Sequence, residues 1–341
     1  MQECVSRLVG ATEGARGKPA PLAASDRGQT SFQAGAEQLH ELLFEPAAWS
    51  LADIDHIIVS PDQFFGAVPL GILRDRDGRY LIERFKFTYI SDAGLLRTIA
   101  ETDGPRDDPT SILVAGEIDY GVGAAWSPLP GTALELSDLG ERFDSATILR
   151  GADATAAALR DALPNARVAH LATHGFFLEG DEAGIHHDDA TRGSAEQALI
   201  DGTPPGARAG LVLAGANDPS ADAILTADEV GWLDLSGLDL VVLSACETGL
   251  GQTVGGEGMQ SLQRAFHLAG ARTVIASLWK VDDDATAMLM RDFYRGLHEK
   301  GLAPSDALHA AQLALLAHNR ATYGEARPWT WGAFVLSGDW R

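Results

Sequence analysis

The chain has 341 residues, of which 45% are hydrophobic, and its formal net charge is −22, with 48 acidic residues against 26 basic ones. This length and hydrophobic fraction are enough for one large folded domain or two small ones. A strongly negative surface repels a phosphate backbone, so we predict no direct binding to nucleic acid. The acidity has two explanations, solubility and attraction of basic polypeptide segments, and the first is the simpler.

The amino-terminal residues are rich in Gly, Ala, Pro and Ser and lack the apolar core of a signal peptide. No run of eighteen apolar residues occurs in the sequence, which predicts that the protein does not cross a membrane. The two cysteines, Cys4 and Cys246, are too few for a disulfide framework. We therefore expect a flexible segment over residues 1–35, a folded domain over 36–341 and a cytoplasmic location.

In chain order, apolar periodicity first predicts a short helix over 36–44 and a strand over 55–60. A hairpin is predicted next, with arms 67–73 and 80–90 joined through an Asp-Gly turn. Residues 102–110 (TDGPRDDPT) are typical of a linker and mark a candidate subdomain boundary. The hairpin would thus belong to an amino-terminal subdomain of the folded region.

After this boundary, predicted strands and helices alternate. The strands are predicted at 112–116, 146–149, 168–173, 211–214, 238–245 and 273–277, and the helices at 132–143, 154–163, 259–269, 285–299 and 305–318. Alternation of this kind predicts βαβ units with right-handed crossovers. The fold class is therefore α/β, with a mainly parallel central sheet flanked by helices.

Two of the predicted strands end in a reactive side chain. His174 closes Leu171-Ala-Thr-His174-Gly175, and Cys246 closes Leu243-Ser-Ala-Cys246. Because the carboxyl ends of parallel strands share one edge of a sheet, we expect His174 and Cys246 to meet there. A histidine within hydrogen-bond reach removes the thiol proton and makes the cysteine a nucleophile. Either residue alone is better explained as part of the core, but the pair predicts a catalytic dyad.

Backbone N–H groups are needed as well, to stabilise the oxyanion that forms during acyl transfer. The amides of Gly175 and Cys246 are the candidates for this oxyanion hole. His170 precedes His174 by four residues, but that spacing along a strand is too long for a shared metal ion, so His170 is expected in the core or behind the site. The loop cluster 186–189 (HHDD) could bind a metal weakly, although a solvated loop explains it better.

Asp282 and Asp283 precede a predicted helix at the end of another strand. Their simplest explanation is helix capping and complementarity to the helix dipole. The alternative is that one of them lines a pocket for a basic side chain. Both explanations remain open at the level of the sequence.

Five segments in order resemble the CHAT domain, a caspase-like and separase-like cysteine peptidase module of bacteria. They are residues 169–175, 243–249, 256–258, 270–283 and 331–338. The resemblance implies a caspase-like three-layer fold and a cysteine endopeptidase with His174 as general base and Cys246 as nucleophile. It implies no cofactor and no metal.

Similarity to separases also implies an acidic residue that faces a basic P1 side chain, with Asp283 as the first candidate and Asp282 as the second. Metacaspases carry an aspartate two residues before the cysteine, where this chain has Ser244. The preference for a basic P1 residue therefore rests on the segment that contains Asp283.

The resemblance further implies a protein substrate, and a role in bacterial defence or signalling. Helical repeats often precede such domains, but this sequence contains none. A regulatory partner protein would then supply control, or residues 1–35 would belong to a longer architecture. Two alternatives remain open, namely a catalytically silent scaffold with the same fold and a small-molecule amidase or acyl transferase that uses the same dyad.

Overall fold

The computed structural model describes residues 26–61, 68–91, 93–101, 111–123, 125–143, 145–177, 208–244, 257–279 and 281–341. The helices are α1 (Asp26–Leu43), α2 (Ala93–Glu101), α3 (Thr132–Arg142), α4 (Ala156–Ala162), α5 (Ala227–Gly231), α6 (Glu257–Leu268), α7 (Asp283–Glu299), α8 (Pro304–Tyr323) and α9 (Pro328–Trp331). The strands are β1 (His56–Val59), β2 (Lys86–Tyr89), β3 (Ser111–Ile118), β4 (Ser145–Gly151), β5 (Val168–Leu171), β6 (His174–Phe177), β7 (Ala209–Val212), β8 (Ile224–Thr226), β9 (Leu240–Leu243), β10 (Thr273–Ser277) and β11 (Phe334–Gly338).

The centre of the fold is an eight-stranded sheet in the order β1-β2-β11-β10-β9-β5-β3-β4. Neighbouring strands run parallel except β10 and β11, which are antiparallel. The predicted α/β class with a mainly parallel sheet is therefore confirmed. Parallel strands need long crossovers, and α3, α4 and α6 lie within them, as the alternating pattern predicts.

The core forms two layers, one on each face of this sheet. In β3, Ile112 and Val114 belong to one apolar cluster, whereas Leu113 and Ala115 belong to the other. Successive side chains of a strand point to opposite faces, so a strand covered on both sides must be apolar throughout. The first cluster includes side chains of α1, α7 and α8, and the second those of α4, α5 and α6. These two layers of side chains hold the helices against the sheet.

The amino-terminal part extends the same sheet, because β2 lies beside β11 and β1 beside β2. The predicted hairpin needs correction. Its turn forms, with Gly78 at φ 83° and a bridge between Arg74 and Tyr80, but 3-10 turns at Leu70–Ile72 and Leu81–Glu83 flank it. The strand in the second arm, β2, pairs in parallel with β1 and not with the first arm. In the two 3-10 turns, consecutive residues are buried on several sides at once. That burial suits a tight helix better than a strand with one buried and one exposed face. The candidate boundary at 102–110 lies outside the described residues.

A second, three-stranded antiparallel sheet holds β6, β7 and β8. The sequence places His174 at the end of one strand, but β5 ends at Leu171 and His174 begins β6 in this other sheet. The predicted strand at 211–214 also corresponds to β7 of the small sheet, at 209–212. His174 thus lies where the chain passes from the large sheet to the small one. In the described part of the chain, no helix has the length and apolarity to cross a membrane.

Candidate active site

The site is built at the carboxyl edge of two neighbouring strands. β5 pairs with β9 in parallel, with His170 opposite Val242 and Leu171 opposite Leu243. His174 follows Leu171 by three residues, and Cys246 follows Leu243 by three. The structure describes this second segment as far as Ser244, so Cys246, with its thiol and its amide, lies outside the described residues.

The turn before His174 is fixed by side chains of other segments. The Thr173 hydroxyl donates to the carbonyl of Val212 in β7, and it accepts from Tyr120, whose hydroxyl oxygen is 3.0 Å away. The His174 amide donates to the same Tyr120 oxygen at 3.4 Å. Burial raises the pKa of the Tyr120 hydroxyl, so this group stays protonated and keeps its role as a donor. Together these contacts set where the backbone of His174 begins β6.

His174 is buried, with 3% of the residue exposed. The rings of Tyr120 and Trp126 pack against it, at centroid distances of 4.9 and 5.5 Å. Its Nε2 lies 2.7 Å from the backbone carbonyl oxygen of Ser127. A carbonyl only accepts, so Nε2 carries the hydrogen, and Nδ1 of the neutral ring is the nitrogen that can take up a proton.

Ser127 was not among the residues predicted from the sequence. A histidine that acts as a base needs a partner that fixes its tautomer, and here that partner is a main-chain carbonyl, which no residue type signals. The available signal was positional, because the loop around Trp126-Ser-Pro-Leu-Pro-Gly131 follows β3 at the edge of the sheet where α/β sites lie. Its two prolines restrict the loop on either side of Leu129.

Gly175 is buried, and it lies opposite Leu211 in the antiparallel ladder of β6 and β7. A glycine directly after the histidine places backbone, rather than a side chain, beside the candidate site. The assignment of the Gly175 and Cys246 amides to an oxyanion hole remains a prediction, since the second amide is outside the described residues.

A buried polar chain lies behind the site and ends at the last described residue of its second strand. The Tyr294 hydroxyl oxygen is 3.1 Å from His170 Nδ1, and His170 Nε2 is 2.9 Å from Glu135 Oε2. The Ser244 hydroxyl donates to the same carboxylate oxygen at 3.0 Å. Burial, and secondarily the Glu135 carboxylate, raises the pKa of Tyr294 well above its ordinary value. Tyr294 therefore donates to His170, whose other nitrogen donates to Glu135.

His170 is fully buried and lies behind the site, as expected, and these hydrogen bonds hold it there. Glu135 is only 7% exposed, and two donors, His170 and Ser244, bind its carboxylate. Sequence reasoning missed Glu135, because a glutamate on a helix is usually a surface residue. Ser244 lies two residues before Cys246, so the network ties down the end of β9 that leads to the candidate nucleophile.

Asp282 and Asp283 occupy different positions at the start of α7. Asp282 is the N-cap, and its Oδ1 accepts from the amides of Asp284 and Ala285 at 3.2 and 3.4 Å. The Asp283 carboxylate accepts from the Gly131 amide at 3.1 Å. A Cβ on Gly131 would lie 2.4 Å from Cβ of Asp283, so this close approach requires glycine. Asp283 therefore contacts the loop whose Ser127 carbonyl binds His174.

No group of three or more metal-ligating side chains is present within the described ranges. The loop cluster at 186–189 is outside them. The structure does bring the oriented imidazole of His174 to the sheet edge at which β9 ends, and Ser244, the last described residue there, lies two residues before Cys246.

A mainly parallel sheet covered by helices on both faces, with a histidine at its carboxyl edge, defines a caspase-like α/β fold. This fold is shared with the Arg-specific cysteine proteinase gingipain R (RgpB). The TM-score is 0.51 at 12% sequence identity, and the alignment covers 99% of this chain and 73% of that chain. Separase in the Saccharomyces cerevisiae separase–securin complex aligns at 11% identity with a TM-score of 0.43, over 74% of this chain and 14% of that chain.

The family model of the CHAT domain matches residues 33–339, so the chain belongs to the CHAT domain family, and the resemblance found in the sequence is confirmed. Two curated relatives are Tetratricopeptide repeat protein 28 of Mus musculus and of Homo sapiens. Each is 34% identical over 121 residues, which cover 36% of this chain and 5% of the relative. The chain thus spans a small part of the length of these relatives.

Proposed function

We propose that this chain is a cysteine endopeptidase that cleaves a specific protein partner, with His174 as general base and Cys246 as nucleophile. The observation that carries the proposal is the bond from His174 Nε2 to the Ser127 carbonyl at 2.7 Å, beside the strand that leads to Cys246. That bond leaves Nδ1 as the basic nitrogen of a buried, oriented ring. Membership of a fold related to cysteine peptidases supports the same chemistry.

In the proposed reaction, Nδ1 of His174 takes the thiol proton and the Cys246 sulfur attacks the carbonyl carbon of the scissile bond. The amides of Gly175 and Cys246 donate to the resulting oxyanion. The protonated imidazole then gives its proton to the leaving amine, and the carbon–nitrogen bond breaks. Water, deprotonated by His174, attacks the acyl-enzyme, and the thiol leaves with the proton.

The test is to incubate the protein with a peptide library that carries every residue at P1 and to read cleavage by mass spectrometry. Cys246→Ala is expected to lower kcat/KM by roughly a thousandfold or more, because the nucleophile is lost. Cys4→Ala is the matched control, since it removes the chain's other cysteine and should leave cleavage unchanged. Cleavage by Cys246→Ala at the wild-type rate would contradict the proposal.

Absence of cleavage by the wild type would be followed by addition of candidate activating proteins. If thiol alkylation at Cys246 were also independent of His174, the dyad would be rejected and the protein would be a scaffold with this fold. Cleavage of small amides alone, without peptides, would point to the amidase alternative.

The proposal includes Asp283, with Asp282 second, as the acidic group that faces a basic P1 side chain. Asp283→Ala is then expected to lower cleavage after Arg and Lys while leaving other P1 residues unaffected, because only a basic side chain loses its counter-charge. Asp284→Ala, one residue further along the helix, is the control. Equal loss at every P1 residue would show instead that Asp283 acts through Gly131 and the loop that it contacts.

A further inference from the structure

Asn217 is half-buried and lies in the turn after β7. It is 43 residues beyond His174 in sequence, but β7 pairs with β6, the strand that begins with His174. Its side chain binds both backbone groups of Trp126. The Trp126 amide donates to Asn217 Oδ1 at 2.9 Å, and Asn217 Nδ2 donates to the Trp126 carbonyl at 3.0 Å. The same Nδ2 donates to the Gly121 carbonyl at 3.1 Å. One amide side chain therefore holds two points of the loop.

The backbone of Asn217 strengthens this clamp, because its amide donates to the Tyr120 carbonyl at 2.8 Å. Close approach of the loop is also built in, since a Cβ on Gly123 would lie 2.7 Å from Cβ of Asn217. Trp126, the residue held by both of its backbone groups, directly precedes Ser127 and packs its ring against His174. The clamp thus acts on the residue next to the carbonyl that His174 binds.

We propose that Asn217 is a positioning residue that holds the Ser127 carbonyl against Nε2 of His174 and so fixes the tautomer and orientation of the general base. The inference rests on the proposed function, because it gives His174 its catalytic role. β6 carries His174, and the turn after its partner β7 carries Asn217. The base and the clamp on its acceptor are therefore fixed by one small sheet, so a displacement of that sheet would move them together.

Loss of the clamp has a chemical consequence that a general loss of stability does not have. When His174 takes the thiol proton, the imidazolium is stabilised by its bond to the Ser127 carbonyl. If the carbonyl moves away, the ion pair of thiolate and imidazolium is disfavoured, and a higher pH is needed to form the thiolate. The pH midpoint of Cys246 alkylation therefore reports the position of the carbonyl.

The experiment measures the rate of alkylation of Cys246 by iodoacetamide against pH, in a Cys4→Ser background. The variants are Asn217→Ala and Asn217→Asp, with His174→Ala as the reference for a missing base. Asp218→Ala is the matched control, because Asp218 is the next residue of the turn, is exposed and accepts from Ser220. A second reading is the Nε2–H resonance of His174 in ¹⁵N-labelled protein, and thermal unfolding is followed for every variant.

Asn217→Ala should move the alkylation midpoint upward, toward that of His174→Ala, and lower the rate at neutral pH between about tenfold and a hundredfold. Asn217→Asp should do the same, because its carboxylate would face the carbonyls of Trp126 and Gly121. The Nε2–H resonance should be lost or shifted in both variants, and Asp218→Ala should match the wild type.

A wild-type midpoint together with an unchanged Nε2–H resonance in Asn217→Ala would overturn the inference, whatever the change in thermal stability. If His174→Ala itself kept the wild-type midpoint, the proposed dyad would fail. The resonance would then still decide whether Asn217 holds Ser127 against His174, so the two failures are distinguishable.

Discussion

Single side chains around the candidate site act mainly by fixing one another. Glu135, His170 and Tyr294 form a chain of hydrogen bonds in the protein interior, in which both ring nitrogens of His170 have a partner. Such networks cost desolvation, and their members are strongly interdependent, because removing one leaves another buried without its partner. Here the network ends at Ser244, so loss of one of its hydrogen bonds would change the position of the end of β9.

His267 on α6 is a half-buried histidine away from the site, and it leads to a prediction about pH. Its Nδ1 lies 3.0 Å from the Ala271 carbonyl and its Nε2 lies 2.7 Å from the Ser337 hydroxyl. Burial lowers the pKa of His267 below its value in the unfolded chain, and the bond to Ala271 offsets part of that effect. The unfolded chain therefore takes up this proton first as the pH falls. The contribution of neutral His267 to the free energy of unfolding is fully present above pH about 6.5, and it is lost as the pH falls through the lowered pKa.

We expect the free energy of unfolding to fall on acidification from pH 7.5 or so toward 5.5, as about one proton per such histidine is taken up. His267→Gln should flatten this slope, because glutamine does not titrate. Urea unfolding at several pH values measures it, with His318→Gln on the exposed side of α8 as control. His56, whose pKa is also lowered, chiefly by burial and then by Lys86, adds a remaining slope of the same sign. An unchanged slope in His267→Gln would contradict the assignment.

At the scale of elements, the small sheet of β6, β7 and β8 matters most for the site, since it begins with His174. Its central strand approaches its neighbours closely at Gly210. A Cβ there would lie 2.8 Å from the Leu225 carbonyl oxygen and 2.8 Å from Cε1 of Phe176. The first of these is backbone and cannot rotate away, so the strands would have to separate.

Gly210→Ala is therefore expected to lower the free energy of unfolding by about 1–3 kcal/mol, as overpacking does. It should also slow alkylation of Cys246, because β6 would shift with His174. Gly231→Ala at the end of α5 is the matched control, since a Cβ there has nothing within 4 Å. Alanine also favours the helix, so that variant should be as stable as the wild type or slightly more. Wild-type stability in Gly210→Ala would mean that the sheet relaxes at no cost.

Element boundaries show where sequence patterns were sufficient. The predicted strand 273–277 matches β10, and the predicted helix 132–143 differs from α3 only at its last residue, because both have clear periodicity and clear ends. The helix α1 begins at Asp26, earlier than predicted. Its buried apolar residues are Phe32, Ala36 and Leu39, so apolar periodicity does not mark the polar residues at its start. The segment 168–177 belongs to two sheets, and contacts of Thr173 with Tyr120 and Val212 fix the turn between them. No local sequence pattern encodes such contacts.

At the scale of the whole molecule, the most distinctive property is the net charge of −22. Like charges distributed over a compact surface repel one another and disfavour folding relative to the expanded chain. Exposed ion pairs such as Arg76 with Glu41 offset little of this, because solvent screens them. The two apolar layers that share one sheet must therefore supply most of the stabilisation.

We expect added NaCl to raise the thermal and urea midpoints at pH 7, because the screening length falls from about 10 Å at 0.1 M to about 3 Å at 1 M and the net repulsion weakens. Sucrose at matched osmolality is the control for effects that are not electrostatic. Midpoints that fall with NaCl would mean that attractive ion pairs outweigh the net repulsion.

The sequence by itself determined the α/β class and most strands of the central sheet, and it predicted His174 and Cys246 as the reactive pair. It could do so because burial on both faces of a strand leaves a continuous apolar run, and because nucleophilic chemistry needs particular residue types. Only the tertiary structure decided that the Ser127 carbonyl meets Nε2 of His174, that Asn217 and Asp283 contact its loop, and that Glu135 accepts from Ser244. These roles depend on backbone groups and on residues far apart in the chain, whose meeting is set by packing and leaves no periodic trace in the sequence.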